Sequence, residues 1–184
     1  MGYYIYQESA LIVIKKENFA ACYEALCKLN DRDDLKRGGG WGGDISSSHP
    51  RPEGLSYHPA RWFSWMDADY PLTCSNFLQI LQQLGFQYEI ATEGNPIHEV
   101  ALPNWDAGDL CNVSWNGEKM GQEDLFFEAI APWIEDDSFI EWRGEDSEMW
   151  RWFFKDGTMV IQKPIILWHP HAVAEKLVVK EPVG

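Results

Sequence analysis

The sequence predicts an α+β fold: a mostly antiparallel sheet of six to nine strands with about three helices packed on one face. Polar and apolar residues alternate through residues 138–162, which is the period of half-buried strands. Apolar residues recur at helical spacing in the segments 17–29, 73–84 and 122–130. Gly, Asn and Asp residues separate these segments, as they do at turns.

The C-terminal alternation predicts a three-stranded meander with strands at 139–143, 149–155 and 158–162. Asp156 and Gly157 separate the last two strands. This pair suits a tight hairpin turn, because both central residues of a type I′ turn have positive φ. The meander is therefore expected at the centre of the sheet.

The remaining strands are shorter and less regular. Residues 3–14 are expected to form either two strands hinged at residues 7–9 or one interrupted strand. Strands at 86–91 and 98–102 are expected to pair as a hairpin. The other strand segments are 61–66, 110–115 and an edge strand at 165–168.

Residues at the helix ends predict where the second and third helices begin and stop. Thr73 is the expected N-cap of the second helix, and Gly85 is the expected residue after its end. Pro132 cannot donate a backbone hydrogen bond, so the third helix is expected to kink or end near Ala131.

The chain has 184 residues, which favours a single domain. We place this α+β domain at residues 1–168. The segment 44–60 is expected to be a mobile loop, because the stretch around it is rich in Gly and Pro and has little periodicity. Residues 169–184 are expected to form a partly ordered tail.

The charge of the chain limits its partners. Lys and Arg number 15 against 29 Asp and Glu, which gives a formal net charge of −14. Such a charge repels phosphate backbones and anionic membranes, so general nucleic-acid binding is disfavoured. It favours a basic protein partner, or it serves solubility alone.

No apolar run approaches the ~18 residues that span a bilayer, and the N-terminus lacks the pattern of a signal peptide. We therefore expect no membrane contact and a cytoplasmic location, in a bacterium or in the host of a phage. The four cysteines form no C-x-x-C pair and are expected to be reduced. The sequence predicts no cofactor and no catalytic residue. It also predicts no metal site, because His169-Pro170-His171 is a weak pattern for metal binding.

A glycine-rich segment is the first candidate site. Glycine amides unshielded by side chains can surround an anion, with two neighbouring cations and an indole for stacking. A nucleotide or phosphorylated metabolite would suit that chemistry, although the spacing fits neither common phosphate-binding motif. The alternative is a loop whose Trp folds back onto the domain. The candidate residues are Lys36, Arg37, Gly38, Gly39, Gly40 and Trp41.

The charged and aromatic part of the meander is the second candidate. Trp and Arg commonly dominate the affinity of protein interfaces, which favours an interaction face here. Two alternatives remain: ion pairs on a solvated sheet face, or a hydrolase using carboxylates of residues 141–148. The candidate interaction residues are Glu141, Arg143, Glu145, Asp146 and Arg151.

The pattern G-E-D-x(3)-W-R-W-x-F at residues 144–154 resembles one found in small uncharacterised α+β proteins of bacteria and phages. The segments 36–39 and 62–67 are similar to other parts of the same pattern. This resemblance covers about a third of the chain and implies no activity, so no site residue follows from it.

Charge, tryptophan content and the lack of a catalytic motif together predict a non-enzymatic acidic binding protein. Its partner is expected to be a basic protein that it inhibits or sequesters, as immunity and phage counter-defence proteins do. The first alternative is a protein that binds or sequesters a small anionic ligand on the glycine-rich segment. The second is the hydrolase named above.

Overall fold

The computed structural model describes residues 3–37, 61–63, 66, 69–92, 106–115 and 119–165. These residues form an α+β fold with antiparallel sheets, as predicted. The prediction of one large sheet is corrected, because the six strands of the described ranges divide into a sheet of four and a sheet of two. The predicted loop at 44–60, the strand at 98–102 and the tail at 169–184 lie outside the described residues.

The strands and helices follow one another in the order expected for segregated α and β elements. The strands are β1 (Ile5–Leu11), β2 (Phe86–Ile90), β3 (Leu110–Trp115), β4 (Phe139–Gly144), β5 (Met149–Lys155) and β6 (Thr158–Gln162). The helices are α1 (Phe19–Leu29), α2 (Tyr70–Thr73), α3 (Phe77–Gln83) and α4 (Glu123–Ile130).

The larger sheet has the strand order β1-β4-β5-β6, and every neighbouring pair is antiparallel. The last three strands lie where the alternation predicted them. Asp156 and Gly157 have φ of 51° and 70°, which confirms the predicted hairpin turn. β1 adds the N-terminus to this sheet, with an irregularity between Gln7 and Ser9 at the predicted hinge. The sequence alone did not show that β1 pairs with β4.

The smaller sheet joins β2 to β3, pairing Phe86 with Trp115 and Tyr88 with Val113. Isolated bridges link Ile14, which follows β1, to Leu110 of β3 and to Ile134, which precedes β4. Buried residues of both sheets belong to one hydrophobic cluster. The two sheets therefore share one core.

The start of α3 differs from the prediction. Asn76, rather than Thr73, caps α3: its side-chain oxygen accepts a hydrogen bond from Gln79 N at 3.0 Å. Thr73 instead ends the single turn of α2. Gly85 ends α3 with φ of 94°, as expected for that position.

The helix before Pro132 also stops as predicted, since α4 ends at Ile130 and a 3₁₀ turn follows over Ala131–Trp133. The predicted strand at 61–66 is not formed by its described residues. Trp62 and Phe63 are buried there against Phe126 of α4, with ring centroids 5.1 and 6.0 Å away.

The core lies against the inner face of the larger sheet. Trp142, Trp152 and Phe154 point into it and are at most 1% exposed. Phe127 of α4 packs on Trp152, with ring centroids 5.5 Å apart, and Trp115 of the smaller sheet meets Trp142 edge to face at 5.3 Å. These tryptophans are structural, and the opposite face of the sheet is left for other contacts.

Candidate functional site

The opposite face of the larger sheet, called the outer face below, carries the predicted interaction residues of the strands. Because side chains alternate between faces, the register places them in rows across all four strands. Tyr6, Met149 and Val160 are 43%, 41% and 45% exposed, so no other described layer packs over them. The rows are Tyr6, Arg143 and Met149; Ser9, Glu141, Arg151 and Gln162; and Leu11, Phe139, Phe153 and Val160.

Arg151 is the central side chain of the outer face. Its guanidinium carbon lies 5.1 Å from the ring centroid of Phe153 and 5.8 Å from that of Phe139. Its Nε donates to the side-chain oxygen of Gln162 at 2.6 Å, and its Nη1 is 3.9 Å from Oε1 of Glu141. The guanidinium of Arg151 is thus held in place, while its side chain as a whole is 39% exposed.

Arg143 repeats this arrangement one row away. Its guanidinium lies 5.5 Å from the ring centroid of Tyr6 and donates to a carboxylate oxygen of Glu8. Glu141, in the same row as Arg151, accepts a hydrogen bond of 2.5 Å from Ser9 Oγ. Each predicted residue on these strands therefore has a partner within the sheet, as the ion-pair alternative requires, and each stays partly accessible.

The turn between β4 and β5 carries Glu145 and Asp146 at one end of this face. The hydroxyl of Tyr3 donates to Asp146, and this hydrogen bond raises the pKa of Tyr3 to about 12 and lowers that of Asp146. The ring of Tyr3 lies where a Cβ on Gly144 would be, so only glycine fits at that position. Glu145 is exposed, and its backbone N–H donates to Tyr4 O at 3.0 Å.

A cavity of about 240 Å³ opens beside Arg151, where β5 begins and β6 ends. Its walls include Trp150, Gln162, Lys163 and Pro164. Lys163 Nζ forms an ion pair of 2.5 Å with Glu148, which follows the β4–β5 turn. The cavity, the two arginines and the acidic turn thus form one continuous surface.

The glycine-rich candidate is described only at its first two residues. Lys36 Nζ lies 2.7 Å from Asp33 Oδ1 and 5.9 Å from the ring centroid of Trp62, and its side chain is 2% exposed. This cation is paired and buried, so it does not face solvent as an anion ligand would require. Arg37 is exposed. The predicted residues Gly38, Gly39, Gly40 and Trp41 lie outside the described residues, and the ligand prediction remains a prediction.

Gln122 fixes the backbone just before the glycines. Its side-chain oxygen accepts from Arg37 N at 2.8 Å, and its side-chain nitrogen donates to Leu35 O. Both hydrogen bonds of this amide therefore attach residues 35–37 to the start of α4.

Two buried carboxyl groups were missed by the sequence analysis. Asp109 accepts hydrogen bonds from Lys15 Nζ at 3.0 Å, Lys16 N at 2.9 Å and Asp106 N at 2.7 Å. Glu123 accepts one, from Gly121 N at 2.8 Å, and its other oxygen has no hydrogen-bond partner among the described residues. An acidic residue in the first turn of a helix is ordinary in sequence, so no signal marked Glu123 as buried.

A carboxylate pair in the 141–148 hairpin would need one acid that is protonated near neutral pH. Within the described part of the chain, the carboxyl whose pKa is raised to about 7 is Glu123, far from that hairpin in sequence and enclosed by the core. The carboxyl group with this raised pKa therefore does not belong to the hairpin on which the hydrolase alternative was based.

All four cysteines lie among the described residues. The four thiols are free, and burial raises the pKa of Cys22 to about 12 and that of Cys111 above its ordinary value. No group of three metal-ligating side chains occurs within the described ranges. None of the helices described there has the length and apolar character to cross a membrane.

The fold and this surface define an α+β protein with one aromatic and arginine-bearing sheet face open to contact. No protein-family model, curated protein or solved structure matches the chain.

Proposed function

We propose that the protein is a non-enzymatic binding protein that inhibits or sequesters a basic protein partner, and that the outer face is its docking surface. The arrangement of Arg151 supports this proposal most directly. Its guanidinium is held between two aromatic rings by Gln162 and Glu141 while remaining partly exposed. Holding a long side chain before binding lowers the entropy cost of binding.

We infer a basic partner from two features, the net charge of the whole chain and the carboxylates on the β4–β5 turn. At long range, the net charge of −14 attracts a basic protein and speeds its approach. At contact, Glu145, Asp146 and Glu148 present three carboxylates on one turn. Lys163 pairs with one of them, which leaves the turn acidic overall.

Affinity itself is assigned to the apolar and aromatic part of the face. Phe139, Phe153 and Met149 surround the two arginines, and such residues form the energetic centre of many interfaces. The carboxylates of the β4–β5 turn would orient the partner and discriminate against acidic proteins.

Two double variants of equal charge change test the location of the docking surface. Glu145 and Glu148 are changed to Lys in one variant, and the exposed Glu17 and Glu24 of the distant N-terminal helical region in the other. Asp146 is left unchanged because it binds Tyr3. Proteins captured by the wild type from a bacterial lysate are identified, and each is then purified and measured against both variants.

We expect a basic partner whose affinity falls at least tenfold with the first variant and changes little with the second. Its affinity should also decrease as salt increases, because screening weakens charge attraction. Arg151→Ala should slow association little and speed dissociation. Equal losses in the two double variants, or affinity that is indifferent to salt, would contradict the proposal.

A further inference from the structure

β6 is the free edge of the larger sheet. It is last in the strand order, and within the described residues it pairs with β5 alone. The opposite edge is different, because Tyr4 bridges to Lys119 just before β1, and Ile14 bridges to Leu110 just after it. An unpaired strand edge presents backbone N–H and C=O groups that can pair with another strand.

The hairpin turn determines which of these groups face outward. Lys155 and Thr158 flank a two-residue turn and so form a hydrogen-bonded pair. Alternate residues of β6, namely Thr158, Val160 and Gln162, therefore direct their backbone groups to β5. Met159 and Ile161 direct theirs to the open side.

Among the described residues, β6 lacks the usual protection of an edge strand. Proteins commonly block such edges with charged residues, Pro or a bulge. Thr158–Gln162 contains no charged residue and no Pro, and its register with β5 has no shift. Val160 and Ile161 are 45% and 59% exposed, and Ile165 just beyond is 83% exposed. This edge therefore has the character of a contact surface.

We propose that β6 pairs antiparallel with β6 of a second copy of this chain, about a twofold axis at Val160. In this register Met159 lies opposite Ile161 of the other copy, and the two exchange backbone hydrogen bonds on each side of the axis. Val160 faces its own counterpart at the axis, where side chains approach most closely.

Charge favours a second copy over a basic strand at this edge. The five residues of β6 are uncharged, so pairing two copies opposes no like charges, and a basic strand would form no ion pair along it. The same register places Lys163 of one copy opposite Gly157 of the other and beside Asp156, which has the opposite charge. The edge is thus complementary to itself.

This proposal is independent of the proposed function and has the opposite response to salt. Edge pairing extends the sheet and leaves both outer faces open. Each copy carries a charge of −14, so the copies repel at long range, and salt should strengthen their association. Salt should weaken binding to a basic partner, so either proposal can fail without the other.

Sedimentation velocity on the full chain tests the dimer over a series of protein and NaCl concentrations. Ile161→Lys and Val160→Lys each place a charge at the edge. In the dimer the two Val160→Lys side chains would face each other across the axis, and the Ile161→Lys side chain would lie against Met159 of the other copy. Leu72→Lys is the matched control, because Leu72 is 57% exposed and lies on α2, outside the sheet. Circular dichroism and thermal melting show whether each variant is folded.

We expect a wild-type dimer whose fraction rises with protein and with salt, and at least a tenfold weaker association in both edge variants. Leu72→Lys should associate like the wild type. A wild type that is monomeric at every concentration overturns the proposal. So does a dimer that survives both edge variants or is weakened equally by the control.

Discussion

Asp109 and Glu123 are both 1% exposed, yet their pKa values move in opposite directions. Burial alone would raise the pKa of Asp109. Two backbone N–H groups and the ammonium of Lys15 outweigh burial and hold that pKa below its ordinary 3.8. Glu123 has the N–H of Gly121 but no described cation, so burial dominates and raises its pKa to about 7.

The comparison shows that the hydrogen-bond donors and cations around a carboxyl group, and not its burial alone, decide whether its pKa is raised or lowered. Asp109 is a fixed ionic tie between the start of β3 and residues 15–16. Glu123 sits beside Gln122, which ties residues 35–37 to α4. The region around Asp109 is most stable when that carboxyl is ionised, and the region around Glu123 is most stable when that carboxyl is protonated. The stability of the two regions therefore changes in opposite directions with pH.

The largest expected effect is the loss of the Asp109 tie. Asp109→Ala removes the acceptor of three hydrogen bonds and leaves Lys15, whose side chain is 17% exposed, without its nearer carboxylate. We expect a loss of about 3–5 kcal/mol in the free energy of unfolding, as for other broken buried pairs. Urea unfolding at neutral pH measures it.

Asp106→Ala is the control for that variant, because Asp106 is 83% exposed and lies 3.8 Å from the same Lys15 Nζ. It should cost less than ~1 kcal/mol. Comparable losses in the two variants would mean that the buried hydrogen bonds add nothing beyond charge.

Glu123→Gln should increase the free energy of unfolding, whereas Asp109→Ala should decrease it. The folded state binds the Glu123 proton more tightly, so its contribution to stability is complete below the ordinary pKa of 4.5 and is lost as pH rises to about 7. Glutamine keeps an acceptor for Gly121 N and never ionises. We expect the variant to be more stable than the wild type by about 1–3 kcal/mol above pH 7.

The pH profile of unfolding separates the two regions. Wild-type stability should fall between pH 4.5 and about 7 through Glu123, and Glu123→Gln should remove that fall. Stability should also fall as pH drops from 3.8 toward the lower folded pKa of Asp109, and this acid branch should remain. A profile in Glu123→Gln identical to that of the wild type would contradict our account.

The smallest effect is expected for Gln122→Ala. Two hydrogen bonds to residues 35 and 37 are lost, each worth about 0.5–1.5 kcal/mol. The change is local, so it should appear as roughly tenfold faster amide hydrogen exchange at Arg37 and little change in global stability. Gln87→Ala on β2 is the exposed control, and unchanged exchange at Arg37 would show that other contacts hold this segment.

Sequence reasoning predicted elements whose signals are local. The alternation of the meander, the Asp156-Gly157 turn and the glycine after α3 each follow from backbone preferences of a few residues. It misplaced the start of α3 because both Thr73 and Asn76 are good caps, and only the fold shows which one is used. It read residues 61–66 as a strand because aromatic residues suit both strands and cores.

The candidate sites differ in the same way. The outer-face residues were predictable because period two places Glu141 and Arg151 on one face once the strands are known. The pairing of Lys36 with Asp33 and its burial against Trp62 were not, since residue 62 is distant in sequence. The environment of Lys36, named in the sequence analysis as a candidate ligand residue, depends on a contact that composition does not encode.

The sequence by itself determined the fold class, the meander and an overall charge of −14, because these depend on local periodicity and on counting. Only the tertiary structure decided that β1 pairs with β4 on one side of the meander and that β6 is the last strand on the other side among the described residues. It also decided that Asp109 is an ionic tie and Glu123 a carboxyl with a raised pKa. Strand order and the donors around a buried acid arise from residues far apart in the chain, and their effects depend on distances that exist only after folding.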